Sequence, residues 1–194
     1  NPQELTPPEP LTSLPFEALQ PCWLRLGIPI AQNHPGAVLP HRMVGGQMGV
    51  AMDGHFKKFS AQLNFDPAKP ATARAQIEID LASIDAGSSE ADDEVVGKNW
   101  LSVKAFPKAT FVAREIKPAG PNQFEVTGAL TIKGKSQDIK FALKHMGQGA
   151  AGLFTGGFVI RRADFSVGEG TWAKFDVVAN DIQINFQLTA IPGK

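Results

Sequence analysis

From about residue 38 the chain alternates apolar and polar positions with a period of two, which predicts half-buried strands. Phe59, Ala61, Leu63 and Phe65 alternate with Ser60, Gln62 and Asn64. After a turn at 66–70, Ala73, Ala75, Ile77 and Ile79 alternate with Arg74, Gln76, Glu78 and Asp80. Further runs are expected at 109–116 around Phe111, at 124–132, at 138–144 and at the glycine-rich 153–162. In the last run Val178, Ile182, Ile184, Phe186 and Leu188 stand against Asp181, Gln183, Asn185 and Gln187. Turn residues separate the runs at 118–122, 133–135 and 147–149, the spacing of an antiparallel meander. Each strand has one face for water and one for an interior. Closing the sheet also removes two vulnerable edges, so the predicted fold is all-β, an antiparallel barrel.

One stretch breaks the β pattern. Ser88-Ser89-Glu90-Ala91-Asp92-Asp93-Glu94, running to Gly97, has a serine start, acidic first turn and glycine stop, and predicts a short helical insertion. The acidic run complements the helix dipole; it lacks the ligand alternation and central glycine of a calcium loop. With Trp100, Leu101 and Phe106 behind it, this segment is expected to cover one end of the barrel.

Proline sets off the start of the chain. Nine of the fifteen prolines fall within residues 1–40, and proline fixes φ and supplies no ladder donor. Residues 1–37 are therefore read as an extended, proline-rich N-terminal arm without a regular strand, and residues 38–194 as the barrel domain. The arm's Leu14, Phe16, Leu19, Trp23, Leu24, Leu26 and Ile28 argue against free disorder. Two readings stay open, packing against the domain and a homodimer formed through the arm.

Composition narrows the functions. Nineteen basic residues balance nineteen acidic ones, which leaves no electrostatic footprint for nucleic acid. No apolar run is long enough to span a bilayer as a helix. Cys22 is the only cysteine, so a disulfide framework and a cysteine-rich zinc site are excluded. Cysteine poverty suits an exported protein. At the start, Asn1-Pro2-Gln3, a removed signal peptide and a trimmed chain are both open.

Catalytic sets are missing. His34, His41, His55 and His145 show no metal-site spacing and are expected on the surface or in turns, so no metal is expected. Neither G-x-S-x-G nor G-x-x-x-x-G-K occurs. Gly45-Gly46 and Gly156-Gly157 suit a strand that bends or that a bulky partner approaches. In Arg161-Arg162…Asp164 two readings stay open: a surface ion pair, and an arginine at the barrel end holding a ligand head group or loop carboxylate.

Seven segments, in order, resemble one family. Gln47-Met48-Gly49-Val50 with Gly54-His55-Phe56-Lys57-Lys58-Phe59 is similar to its opening, continued by Leu63-Asn64-Phe65-Asp66-Pro67, and Ile79-Asp80-Leu81-Ala82-Ser83-Ile84-Asp85-Ala86-Gly87 to the segment that leads into its helix. Phe106-Pro107-Lys108-Ala109-Thr110-Phe111, Val126-Thr127-Gly128-Ala129-Leu130-Thr131-Ile132-Lys133-Gly134 and Arg162-Ala163-Asp164-Phe165 follow. Gly168-Glu169-Gly170-Thr171-Trp172 and Val177-Val178-Ala179-Asn180-Asp181 complete the set. Together they resemble the YceI-like family of bacterial periplasmic proteins. The resemblance implies a lipocalin-like barrel of about eight strands whose apolar tunnel holds a polyisoprenoid, such as the prenyl tail of a ubiquinone-type quinone. It also implies a periplasmic location. Pro40-His41-Arg42-Met43-Val44-Gly45-Gly46 is a poor strand where the family has one, so that strand is expected to be short, displaced or supplemented by the arm. Ser166 stands where a glycine is common, and Lys174-Phe175 replaces a small acidic pair.

The expected function is binding and carriage of a long apolar ligand, without catalysis and with no required cofactor beyond that bound chain. A membrane or respiratory-chain component would be its donor or acceptor. The expected lining is Phe65, Ile77, Ile79, Phe111, Phe124, Val126, Phe141, Phe158, Ile160, Ile184 and Phe186, with Trp100, Phe106 and Trp172 at the ends. Arg162 and Asp164 are the candidates for a head-group or rim role. The alternatives are an enzyme acting on an isoprenoid or lipid at the tunnel mouth, and a ligand-free structural or interaction barrel.

Overall fold

The computed structural model describes residues 24–31, 49–66, 68–148, 151–175 and 178–190. They form strands β1 (Leu24–Ala31), β2 (Gly49–Phe56), β3 (Phe59–Asn64), β4 (Arg74–Asp80) and β5 (Ile84–Asp85), then helix α1 (Ser89–Val96). β6 (Lys108–Gly120), β7 (Gln123–Ile132), β8 (Lys135–Gln148), β9 (Ala151–Arg161) and β10 (Asp181–Ala190) follow. Cys22, His34, His41, Gly45-Gly46, the expected strand at 40–46 and most of the proline-rich arm lie outside the described residues.

All strands of the described residues belong to one curled antiparallel sheet, in the order β3-β4-β6-β7-β8-β9-β10-β1-β2-β5. The two ends of this order are halves of one bent strand pair. β2 continues through Lys57 and Lys58 into β3, and β4 continues through Leu81–Ser83 into β5. Pairing crosses the bend: Phe59 faces Ile79, Lys58 O accepts from Asp80 N at 3.0 Å and Lys57 N donates to Ser83 O at 3.1 Å, and Phe56 faces Ile84. Counted as bent strands, the ladder joins eight, and the sheet wraps an apolar interior as a half-barrel wall.

The alternation holds where it was cleanest. In β7 every second residue from Phe124 to Ile132 is buried, and in β10 Ile182, Ile184 and Leu188 are buried against exposed Asp181, Gln183, Asn185 and Gln187. β6 keeps Ala109 and Phe111 inside, then a register shift between Ala113 and Glu115 flips the parity and buries Ile116. Its expected turn at 118–122 is shorter than predicted. Pro118 remains in β6, beside a second register shift at Pro118/Gly120 that relieves the missing donor.

β1 corrects the reading of 1–37 as an arm without a regular strand. Leu24–Gly27 pairs with β10 and Arg25–Ala31 with β2. Pro29 lies past the end of the β10 pairing, where the strand has a single neighbour and a missing N–H does no harm. The helix forms with the predicted cap: Ser88 Oγ accepts from Ala91 N at 3.2 Å, and Glu90 and Asp92 sit in the first turn.

Candidate functional site

Between the curled sheet and the segment after α1 lies a cavity of ≈ 140 Å³. Its lining is apolar except for Gln187, which is exposed and belongs to the outward set of β10. Thus no inward side chain of this lining carries a hydrogen-bonding or charged group, and the space suits hydrocarbon.

Of the residues expected to line a tunnel, Ile77, Ile79, Phe111, Phe141, Phe158, Ile160, Ile184 and Phe186 line this cavity. Phe141 sits at the centre of the aromatic wall, its ring 5.6 Å from Phe111, 5.2 Å from Phe158 and 5.4 Å from Phe186. Two glycines shape that wall. A Cβ on Gly128 would lie 2.5 Å from Phe111 Cζ, and one on Gly156 would lie 2.5 Å from Phe186 Cζ. The bulky partners anticipated at inward glycines are therefore the protein's own rings.

Phe65, Phe124 and Val126 are not on the cavity. They are buried in a filled layer of the same interior, where Phe65 packs edge-on against Phe124 at 5.1 Å and against Phe154 at 5.2 Å. His145, expected on the surface or in a turn, lies on β8, half-buried between Phe154 (4.9 Å) and Phe65 (5.4 Å). Burial pushes its pKa down. Alternation could not separate filled from open layers, because both use the same inward face.

The end residues also sit elsewhere than expected. Phe106 is 38% exposed and packs over Gly134 in the β7–β8 turn. Trp100 is buried against Trp172, ring centroids 5.7 Å apart, and its Nε1 is the buried side-chain polar atom without a partner among the described residues. Trp172 Nε1 donates to Glu94 Oε1 at 2.6 Å. Together with the bond from Glu169 N to Asn99 O, this ties the helical segment to the loop after β9. Leu101 and Val167, one from each segment, reach the cavity.

The surface ion pair read for this cluster is made by Arg161 with Asp164, whereas Arg162 holds neither a head group nor a carboxylate. Its side chain is among the most buried in the molecule, at 1% exposure. Nε donates to Ala179 O (2.9 Å), Nη1 to Val167 O (3.0 Å) and Gly168 O (2.8 Å), and Nη2 to Trp172 O (2.7 Å) and Val178 O (2.8 Å). A guanidinium has five N–H donors, and all five are used on backbone carbonyls. None remains for a head group or a carboxylate. Phe175 covers the guanidinium carbon at 5.2 Å, and burial lowers the pKa from its ordinary value. Asp164 is bound to Arg161 instead, with Nε and Nη2 at 3.1 and 3.0 Å from Oδ2.

The same loop is held from outside. Lys133 Nζ donates to Ser166 O and Glu169 Oε2, both at 2.7 Å, and the Lys133 ammonium holds the Glu169 carboxyl below its ordinary pKa. Ser166 is left-handed (φ 54°), which explains why glycine suits this position. Sequence reasoning missed Phe56, Phe59, Leu81, Leu101, Ala109, Leu130, Ile132, Val167, Ile182 and Leu188 on the lining. Leu130, Ile132, Ile182 and Leu188 were legible as inward positions of runs already recognised. Leu101 and Val167 come from irregular segments with no periodicity to betray them. Among the described residues no group of three or more His, Cys, Asp or Glu could hold a metal ion, and no helix is long and apolar enough to cross a membrane.

A model of the YceI-like domain matches residues 37–190. The chain is 30% identical over 121 residues to a UPF0312 protein of Azotobacter vinelandii, taking in 59% of this chain and 62% of that one. It is 32% identical over 96 residues to Protein YceI of Salmonella arizonae, half of each chain. The matches thus span only about half to three-fifths of these relatives' lengths. Among solved structures, BcnA of Burkholderia cenocepacia superposes with a TM-score of 0.74 at 40% identity, covering 87% of this chain and 96% of that one. A domain from Saccharophagus degradans, described as polyisoprenoid binding and implicated in plant cell wall breakdown, has a TM-score of 0.65. It is 15% identical and covers 90% of this chain and 97% of its own.

Proposed function

Since this chain belongs to the YceI-like family, we propose that it binds and carries a long apolar molecule, a polyisoprenoid or the prenyl tail of a ubiquinone-type quinone. The observation that carries this reading is a cavity whose inward lining is entirely hydrocarbon. The description of the Saccharophagus degradans domain supports the ligand class.

Magnitudes set a lower size for such a ligand. Each five-carbon prenyl unit gains about 4 kcal/mol on burial, at ~0.8 kcal/mol per carbon. Association costs on the order of 4–15 kcal/mol, and micromolar binding needs a surplus of about 8 kcal/mol. A useful ligand therefore buries about three to six prenyl units, more than a space of ≈ 140 Å³ holds, so uptake would spread the lining side chains apart. A single ring or a short acid would not suffice.

The reading extends to the bacterial periplasm as the compartment, and to a membrane or respiratory-chain component as donor or acceptor. Catalysis is not part of it, since Arg162 and Asp164, the groups that could have worked at a tunnel mouth, are each occupied by protein partners. Solvent extraction of the purified protein followed by mass spectrometry should release a prenyl lipid, and delipidated protein should take up an added prenyl quinone. Absence of both outcomes would refute carriage and favour a barrel without ligand. Chemical conversion of the quinone on binding would favour an enzyme.

A further inference from the structure

The inward row of β7 reads Phe124, Val126, Gly128, Leu130, Ile132. Its later half, Leu130 and Ile132, lines the cavity, whereas Phe124 and Val126 are equally inward and buried but do not. The change from open to filled happens within a single strand. At the filled level Phe65, Phe124 and Phe154 are 1%, 5% and 2% exposed, and their rings meet edge to face at 5.1 and 5.2 Å. Rings at that separation are in contact, with no passage for a hydrocarbon chain between them. The filled layer adjoins the cavity on two sides. Phe154 pairs across the ladder with Leu188 and Val126 with Phe141, and both of those partners line the cavity.

We infer that Phe65, Phe124 and Phe154 form a floor that fixes the longest chain the cavity accepts. This rests on the carrier reading and adds a specificity rule to it: ligands are selected by length at the aromatic floor, with no polar contact there. His145, its ring tilted against both Phe65 and Phe154, props the floor. Removing one phenyl ring deletes six carbons from the floor, which is room for about one prenyl unit.

The test is a binding series with delipidated protein and prenyl alcohols of increasing length, from about two to about nine isoprene units. Wild-type affinity should rise by at least about tenfold per unit while each unit is buried, then change by less than about twofold once the chain meets the floor. In Phe124→Ala the break should move to a chain longer by about one unit. Phe124→Leu, which keeps a buried hydrocarbon and is the safer variant for folding, should shift it in the same direction by less. A break at the same length in wild type and in both variants, or continued gain in wild type without any break, would overturn the floor while leaving carriage intact. If no alcohol of any length binds wild type, the carrier reading fails and the floor falls with it.

Discussion

Arg162 is the position where a conservative change should do the most harm. In Arg162→Lys the charge survives but the fork does not. The guanidinium spans five carbonyls from Val167 to Ala179, while an ammonium has three donors on a single atom. At least two carbonyls must lose their partner. Hydrogen bonds to a charged group contribute about 1.5–3 kcal/mol each, and disrupting a buried charged network costs about 3–5 kcal/mol after relaxation. The expected loss is therefore about 3–5 kcal/mol, which in a chain of this size lowers Tm by about 10 °C. Urea denaturation followed by tryptophan fluorescence and far-UV circular dichroism measures it, with the slope checked for constancy. Arg161→Ala is the control: its ion pair with Asp164 is exposed, so the change should stay within about 0.5 kcal/mol. If Arg162→Lys also stays within about 0.5 kcal/mol, the five-carbonyl anchor is not what holds the loop after β9.

Three further outcomes are expected. Burial lowers the folded-state pKa of His145, so as pH falls the unfolded chain protonates first, near about 6.5. Stability should then decline from that pH down to the lower folded value, and denaturation of His145→Gln across this range should show a flatter profile. Gly128→Ala would place a Cβ 2.5 Å from Val112 O as well as from the Phe111 ring, and urea melts should show a loss of about 1–3 kcal/mol; Gly147→Ala, with nothing within 4 Å, should be near neutral. Ala109→Leu adds hydrocarbon to the cavity lining and should raise stability by about 0.5–2 kcal/mol while a prenyl quinone no longer binds; unchanged binding would mean that the ligand does not occupy this space.

Much of the wall was readable because burial on one face of a strand leaves a period of two. β3, β4, β7 and β10 follow their alternation, and Ser88 with Gly97 bounds α1 as its side-chain chemistry requires. β1 was missed because proline weighs against a central strand, and only the ladder shows that Pro29 has one neighbour there. Which inward residues meet a cavity was half readable. Phe124 and Leu130 occupy equivalent positions on β7, and what separates them is the pairing of distant strands that brings Phe65 and Phe154 onto one of them. Arg162 was misread for a similar reason. Its partners are main-chain oxygens, which every residue possesses, so no sequence pattern can announce them.

An open layer inside a barrel has to be built, since side chains fill space by default. Left empty, a cavity of 140 Å³ costs about 3 kcal/mol at ~24 cal/mol per Å³, a sizeable share of a typical total stability of about 5–15 kcal/mol. The glycines show how the space is kept. Gly128 and Gly156 stand where inward side chains would project, yet neither leaves a hole: the ring tip of Phe111 lies over one and that of Phe186 over the other. Each ring is thereby laid back along the wall and not driven toward the axis. A larger residue at either glycine would push the ring into the centre and close the cavity. Large aromatic residues opposite inward glycines thus give a wall that is wholly apolar and well packed while the middle stays open, and the same residue type, packed ring against ring at Phe65, Phe124 and Phe154, closes the layer next door.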